Sequence, residues 1–89
     1  MAELEPRKRR LRFRAWHRGT KEADIMIGSF VDKALDTMSE ADVAWFEAFL
    51  EENDVEIMSW IVGRSAPPAV YEGPLMDAMR KLDYLPIPR

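Results

Sequence analysis

Apolar residues recur at helical spacing through the middle of the chain. Between positions 27 and 38 they stand mostly three or four residues apart, at Ile27, Phe30, Val31, Ala34, Leu35 and Met38. This is the period of an amphipathic helix. Thr20 suits the N-cap of that helix, and Glu22 and Asp24 follow where its first turn favours negative charge. Gly28 interrupts the pattern and is expected to mark close packing.

A first helix is predicted upstream of this one. No helix-breaking residue occurs between positions 7 and 18, and Leu11 and Ala15 stand four residues apart, as on one face of a helix. His17 and Arg18 are expected in its last turn, where the helix dipole favours cations. Gly19 follows, and a glycine just past a helix end adopts the left-handed conformation without steric cost. The sequence therefore predicts two helices joined by a glycine turn.

Two further helices are predicted between positions 39 and 63. Ser39 and Asp42 stand at capping-box spacing, and the apolar face of the helix that they begin comprises Val43, Phe46, Phe49 and Leu50. Asn53 or Asp54 is expected to cap the fourth helix, and Gly63 to end it. Few polar positions remain in this helix, because apolar residues occupy Val55, Ile57, Met58, Trp60, Ile61 and Val62. The composition predicts a central helix that is buried on most sides.

The C-terminal third is predicted to contain a surface loop at 65–73 and a fifth helix. Pro74 suits the first position of that helix, and its apolar face is expected to comprise Leu75, Met79 and Leu82. The five segments together predict an all-α fold, a compact bundle of five short helices. We expect a flexible N-terminus at 1–6, a single helical-bundle domain at 7–84 and an extended C-terminal tail at 85–89.

The composition excludes several kinds of chemistry. The 89 residues contain no cysteine and a single histidine, which excludes disulfides, thiolate zinc sites, iron–sulfur clusters and thiol nucleophiles. The four glycines are isolated, so no phosphate-binding loop is present. His17 has no marked partners for catalysis, and a helix-end position is its expected role. We predict a cytoplasmic protein that is not an enzyme, binds no metal and is not inserted in a membrane.

Charge is distributed unevenly along the chain. Residues 1–18 carry seven basic and two acidic residues, a net +5, whereas residues 19–89 carry six basic and fourteen acidic residues, a net −8. Such polarity indicates that the two regions face different partners, or that the basic strip seeks an acidic surface. One alternative is therefore a nucleic-acid-binding or antitoxin-like small helical protein that uses the basic strip Arg7–Arg14. The sequence pI of about 5.1 opposes nucleic-acid binding.

The turn between the first two helices carries the most informative motif. It reads Arg18-Gly19-x-x-Glu22, with basic residues at positions 7–10 before it and Asp24 after it. Ordinary helix–turn–helix capping also explains these residue types. The ordered combination nevertheless resembles the small bacterial FAD assembly factors of succinate dehydrogenase. The resemblance extends through Asn53-Asp54 and Trp60-Ile61-Val62-Gly63, and it departs from the family at Val55, where many members have proline.

The resemblance implies a function by contact with another protein. It implies a five-helix factor that promotes covalent attachment of FAD to the flavoprotein subunit of succinate dehydrogenase, and of fumarate reductase where present. The residues that match the family's partner-binding face are Arg18, Gly19 and Glu22, with Asp24 beside them. The factor is expected to hold no cofactor stably, to bind no nucleic acid and to be a monomer when free.

Overall fold

Five α-helices follow one another in the computed structural model, which describes residues 4–85. They are α1 (Leu4–Trp16), α2 (Lys21–Ala34), α3 (Glu40–Phe49), α4 (Asp54–Ile61) and α5 (Pro74–Lys81). Short 3-10 turns occur at Leu35–Thr37 and Ala69–Tyr71, and no strand occurs in the described residues. The radius of gyration is 12.4 Å, which is the size expected of a compact domain of this length. The predicted all-α bundle of five short helices is confirmed.

Side-chain caps begin three of the helices where the sequence predicted them. The Thr20 hydroxyl accepts from the backbone N–H of Ala23 at 3.2 Å at the start of α2. Ser39 and Asp42 form a reciprocal capping box at the start of α3. Asn53 caps α4, because its side-chain oxygen accepts from the N–H of Val55 at 2.8 Å. These caps satisfy N–H groups that have no partner inside a helix.

The core is built around aromatic side chains of α3 and α4. Phe49 is fully buried, and its ring centroid lies 4.7 Å from that of Trp45, 5.2 Å from that of Tyr71 and 6.0 Å from that of Trp60. Rings at these separations interact favourably in addition to the apolar area that they bury. The cluster therefore fixes α4 and the 3-10 turn at Tyr71 against α3.

Helix α1 packs closely on α2 at Gly28. A Cβ atom at this position would lie only 2.3 to 2.8 Å from three ring carbons of Trp16. Such distances are well inside van der Waals contact, so only glycine lets the indole ring rest on the α2 backbone. The predicted close packing at Gly28 is confirmed.

The first helix begins earlier than predicted. Helix α1 starts at Leu4, so residues 4–6 of the segment expected to be flexible are helical. The physical reason is that Pro6 falls in the first turn, where the missing N–H of proline has no helical partner to lose. Residues 1–3 lie outside the described residues, as does the predicted extended tail beyond Leu85.

Two predicted burial patterns were wrong. Helix α4 is not buried on most sides, because Val55 and Val62 are exposed and Met58 is only half-buried. In α5, Met76 is fully buried, a position that the predicted apolar face omitted. The core covers only one side of each of these eight-residue helices, and their apolar composition alone does not reveal which side. No helix of residues 4–85 is long and apolar enough to cross a membrane.

Candidate protein-docking site

The bend between α1 and α2 is formed by residues 17–20. Helix α1 ends at Trp16, so His17 and Arg18 lie in the bend and not in the last helical turn. Gly19 has a φ of +116°, which other residues rarely adopt. A Cβ at Gly19 would meet no atom within 4 Å beyond its chain neighbours. The predicted glycine turn is confirmed, and its outer side is open space.

Arg18 turns inward from the bend and reaches the start of α4. Its Nε donates to Asp54 Oδ1 at 2.8 Å, and its Nη2 lies 2.8 Å from the same oxygen. Nη2 also donates to the backbone carbonyl of Glu52 at 3.3 Å, and the Arg18 side chain is only 11% exposed. Such charge-assisted hydrogen bonds from a planar guanidinium fix geometry as well as adding energy. Arg18 therefore ties the α1–α2 bend to the turn that precedes α4.

Asp24 is also engaged within the chain. Its Oδ1 accepts from the backbone N–H of Arg18 at 2.6 Å, and its side chain is half-buried. It lies in the first turn of α2, where the helix dipole favours a carboxylate. Asp24 thus holds the backbone of the bend, while the Arg18 side chain holds α4. We call these contacts of Arg18 with Asp24, Asp54 and Glu52 the Arg18 clamp.

Tyr71 supports the clamp from the far side. Its hydroxyl donates to Glu52 Oε2 at 2.7 Å. Burial, together with the hydrogen bond to Glu52, raises the pKa of Tyr71 to about 12, so the hydroxyl keeps its proton at neutral pH. The turn between α3 and α4 is therefore held by Arg18 through the Glu52 backbone and by Tyr71 through the Glu52 side chain.

Glu22 behaves differently from Arg18 and Asp24. It is exposed, and it has no hydrogen bond or ion pair with any of residues 4–85. A helix-start position stabilises its charge through the dipole of α2. Of the four residues predicted to form the site, Gly19 and Glu22 face outward, and Arg18 and Asp24 are satisfied inside the chain.

A groove lies beside Glu22 along the outer side of α4. It has a volume of about 660 Å³, and Thr20 and Glu22 line its α2 side. Val55, Met58 and Val62 line its α4 side, with Val55 75% exposed and Val62 51% exposed. The predicted motif is therefore continuous with an apolar surface strip. We call this feature the α4 groove.

Sequence reasoning missed both the α4 groove and the role of Asp54. A signal for the groove was present, because Val55, Met58 and Val62 follow one helical stripe at spacings of three and four, whereas Ile57 and Ile61 follow another. Which stripe enters the core depends on the orientation of α4. No local signal pairs Arg18 with Asp54, because the two residues are 36 positions apart.

Three of the six basic residues in the strip, Arg7, Arg12 and Arg14, form ion pairs with acidic residues of their own chain. Arg7 forms a two-point ion pair with Glu47, at 3.0 and 2.8 Å. The further pairs are Arg7–Glu40, Arg12–Asp32 and Arg14–Glu51. The predicted acidic surface for the basic strip is thus provided by α2, α3 and the turn after α3. Phosphate binding at these arginines would have to compete with these pairs, which does not favour the nucleic-acid alternative.

His17 lies at the end of α1 in a local contact. Its Nδ1 lies 2.6 Å from the carbonyl oxygen of Phe13, and its ring stacks on the Phe13 ring with centroids 4.0 Å apart. With Nδ1 as the donor, the imidazole satisfies a carbonyl that the last helical turn leaves free. Within residues 4–85 no three histidine, aspartate or glutamate residues are grouped as a metal site.

The known proteins that this chain resembles carry names of succinate dehydrogenase or FAD assembly factors. Residues 9–83 match the Sdh5 family, which is described as "Flavinator of succinate dehydrogenase". The chain is 43% identical over 76 residues to the FAD assembly factor SdhE of Acetobacter pasteurianus, a match that covers 85% of this chain and 70% of that protein. It is 30% identical over 80 residues to the mitochondrial succinate dehydrogenase assembly factor 2 of Danio rerio, covering 88% of this chain. The chain spans about half the length of that mitochondrial relative, 51%.

Proposed function

The chain belongs to the Sdh5 family, the flavinators of succinate dehydrogenase, and we propose that it works by docking on the flavoprotein subunit of that enzyme. In this proposal Gly19 and Glu22 contact the subunit, and the chain favours the arrangement in which FAD becomes covalently attached. The attachment takes place inside the flavoprotein, and no residue of this chain takes part in the bond chemistry.

The observation that carries the proposal is the exposed, unpaired Glu22 beside an open glycine bend. A charge that no residue among 4–85 neutralises is available to a partner, and a bend without a side chain lets a second backbone approach closely. Because the Arg18 clamp fixes both features, little conformational entropy is lost when they meet a partner.

Arg18 and Asp24 belong to the proposed site as positioning residues. Arg18 joins the bend to α4 through Asp54, and Asp24 holds the Arg18 backbone. Replacing either residue would displace Glu22 without removing a direct contact. Partner binding and ordinary helix capping are compatible at this motif. Thr20 caps α2, while Glu22 faces outward.

Conformational selection gives the proposal a physical mechanism. A protein that binds one arrangement of a flavoprotein more tightly than the others raises the population of that arrangement. A difference of about 1.4 kcal/mol shifts the ratio about tenfold. The flavin supplies the chemistry of its own attachment, so the docking chain needs no nucleophile, no base and no cofactor of its own.

The proposal also includes where the chain acts and which other partners it has. We place the chain in the cytoplasm, which the matches to bacterial assembly factors support, and we propose that it is a monomer before it docks. Fumarate reductase, where present, is a second client under the same proposal. Nucleic acid is not a partner under this proposal, and the ion pairs of Arg7, Arg12 and Arg14 support this exclusion.

The test of the Glu22 contact is covalent flavin attachment in cells. The gene is deleted, the chain is restored as wild type, Glu22→Ala or Asp36→Ala, and covalent flavin on the flavoprotein subunit is read as in-gel fluorescence. Asp36 is an exposed carboxylate in the 3-10 turn after α2, which makes it a matched control. We expect Glu22→Ala to lower covalent flavin at least fivefold and Asp36→Ala to leave it unchanged. Equal signals from the two variants would contradict the contact.

A pair of substitutions at Gly19 separates strain from contact. Both Gly19→Ala and Gly19→Arg place a side chain at φ +116°, which costs about 1 to 2 kcal/mol of stability in either case. Only arginine projects far enough to block an approaching protein. We expect similar urea midpoints for the two variants, but loss of flavoprotein binding for Gly19→Arg alone, as measured by calorimetry with the purified subunit. Full binding by Gly19→Arg would contradict the proposal.

A further inference from the structure

We infer that the α4 groove is a second part of this docking site and receives a segment of the flavoprotein that carries apolar side chains next to a lysine or arginine. The inference rests on the proposed function, since it names the chemistry of the partner segment at the same site. The experiment below is therefore arranged so that the groove contact and the Glu22 contact fail separately.

Val55 and Val62 are too exposed to serve the core, whereas Met58 between them packs partly against it. Val55 is 75% exposed and Val62 is 51% exposed, and Met58 lies half-buried between them on the same stripe of α4. Single exposed apolar residues are common, but three in a row along a groove are typical of an interaction surface. Methionine also adapts its shape to a partner more readily than branched residues do.

The groove is held in shape before any partner arrives. The opposite stripe of α4 is anchored in the core by Ile57, Trp60 and Ile61, which are at most 4% exposed. The start of the helix is fixed by the Asn53 cap and by the ion pair between Arg18 and Asp54. A preformed apolar groove binds with a smaller entropy loss than one that must be ordered.

The charge of the groove selects the chemistry of the partner segment. Glu22 and Glu56 both line it, and neither has an ion pair with any of residues 4–85. Asp54 is already neutralised by Arg18, and Arg64, which also lines the groove, lies past the C-terminal end of α4. The end of the groove beside the glycine bend is therefore acidic, which complements a lysine or arginine on the incoming segment.

A segment of the flavoprotein fits these features because the groove is continuous with Glu22. One partner that reaches Glu22 also reaches Thr20 and the first turn of α4, since all of them line the same cavity. A second copy of this chain is the competing occupant. Its two-fold pairing would bring the same acidic residues into both halves of the interface.

The test uses opposite charges at the two ends of the apolar strip. Val55→Asp places an acidic residue in the first turn of α4, and Val62→Lys places a cation at its C-cap, so the helix dipole favours both substitutions. The matched controls are Val70→Asp and Val70→Lys, because Val70 is 72% exposed and lies outside the groove. Binding to the purified flavoprotein subunit is measured by calorimetry, and sedimentation reports the oligomeric state of each variant.

We expect Val55→Asp and Val62→Lys each to weaken binding at least tenfold and the Val70 controls to change it less than twofold. We also expect Glu56→Gln to weaken binding about threefold at low salt and less at high salt, since salt screens exposed charges. Groove variants that bind like the controls would overturn the inference, whereas the Glu22→Ala result decides the proposed function independently. A wild-type dimer that Val55→Asp dissociates would assign the groove to a second copy and would also overturn it.

Discussion

The two ends of α1 both supply arginines that pair with distant acidic residues, but the pairs differ in burial and in what they leave free. At the N-terminal end, the Arg7 side chain is 14% exposed and meets Glu47 and Glu40, whose side chains are 34% and 69% exposed. Just past the C-terminal end, Arg18 meets Asp54, with side-chain exposures of 11% and 26%. The two arginines are therefore buried to a similar extent, whereas the carboxylates of the first region are more exposed than Asp54.

The two regions also differ in which nearby carboxylates are left without an ion pair. Along the first region Arg7, Arg12 and Arg14 are paired with carboxylates of α2, α3 and the following turn. In the second region Arg18 pairs with Asp54 instead of Glu22, which stands only four positions away. Glu22 is therefore left free at the surface. The ion pairs of Arg7, Arg12 and Arg14 therefore occupy carboxylates at the surface, whereas the ion pair of Arg18 leaves the neighbouring Glu22 unpaired.

The largest loss of folding stability is expected when the Arg18 clamp is broken. Arg18→Met leaves the Asp54 carboxylate in a partly enclosed site without its partner, and we expect the free energy of unfolding to fall by about 2 to 3 kcal/mol. This is less than for a fully buried pair, because Asp54 is 26% exposed. Urea denaturation measures the change.

Two companion variants sharpen that result. Arg18→Lys keeps the charge but loses the fork that reaches both Asp54 and the Glu52 carbonyl, so an intermediate loss is expected. In the double variant Arg18→Met/Asp54→Asn the unpaired charge is gone, and part of the stability should return. A clamp variant that unfolds like wild type would show that the enclosed pair contributes no more than an exposed one.

A smaller effect with a defined pH dependence is expected at the other end of α1. The hydrogen bonds from Arg7 hold the pKa of Glu47 below the ordinary value of a glutamate. Because the folded-state pKa is lowered, the stabilisation is present above the unfolded-state pKa and is lost as the pH falls through the lowered value. Glu47→Gln should therefore be less stable than wild type at pH 6, and the difference in stability should narrow as the pH falls through the lowered pKa of Glu47.

The measurement is thermal unfolding of both chains at a series of pH values. A difference in melting temperature between the two chains that stays constant from pH 6 to about pH 3 would mean that the charge of Glu47 does not stabilise the fold. A difference that widens at low pH would give the opposite sign and would contradict the assignment.

The smallest effect on stability is expected at a pair in which both side chains are well exposed. Arg12 and Asp32 are 56% and 44% exposed, and Arg12→Ala should lower the free energy of unfolding by no more than about 0.5 kcal/mol. The difference should shrink further at 1 M salt, where screening is strong. A loss as large as that of Arg18→Met would remove the contrast between the two regions.

The predictability of the fold and of the site differed for physical reasons. The caps at Thr20, Ser39 and Asn53 and the turn at Gly19 were predicted correctly, because each depends on residues within a few positions of one another. The burial of α4 was predicted wrongly, because apolar residues on both of its sides hide which side faces the core.

The sequence by itself determined the five helices, the caps of α2 and α3, the family and the motif at Arg18-Gly19-x-x-Glu22. Only the tertiary structure decided that Arg18 is enclosed against Asp54, that Glu22 is left free, and that Val55 and Val62 form an outer strip. The physical reason is the sequence separation between the residues that interact. Caps and turns are local hydrogen bonds, whereas the partner of a long charged side chain and the buried side of a helix depend on how elements far apart in the chain pack together.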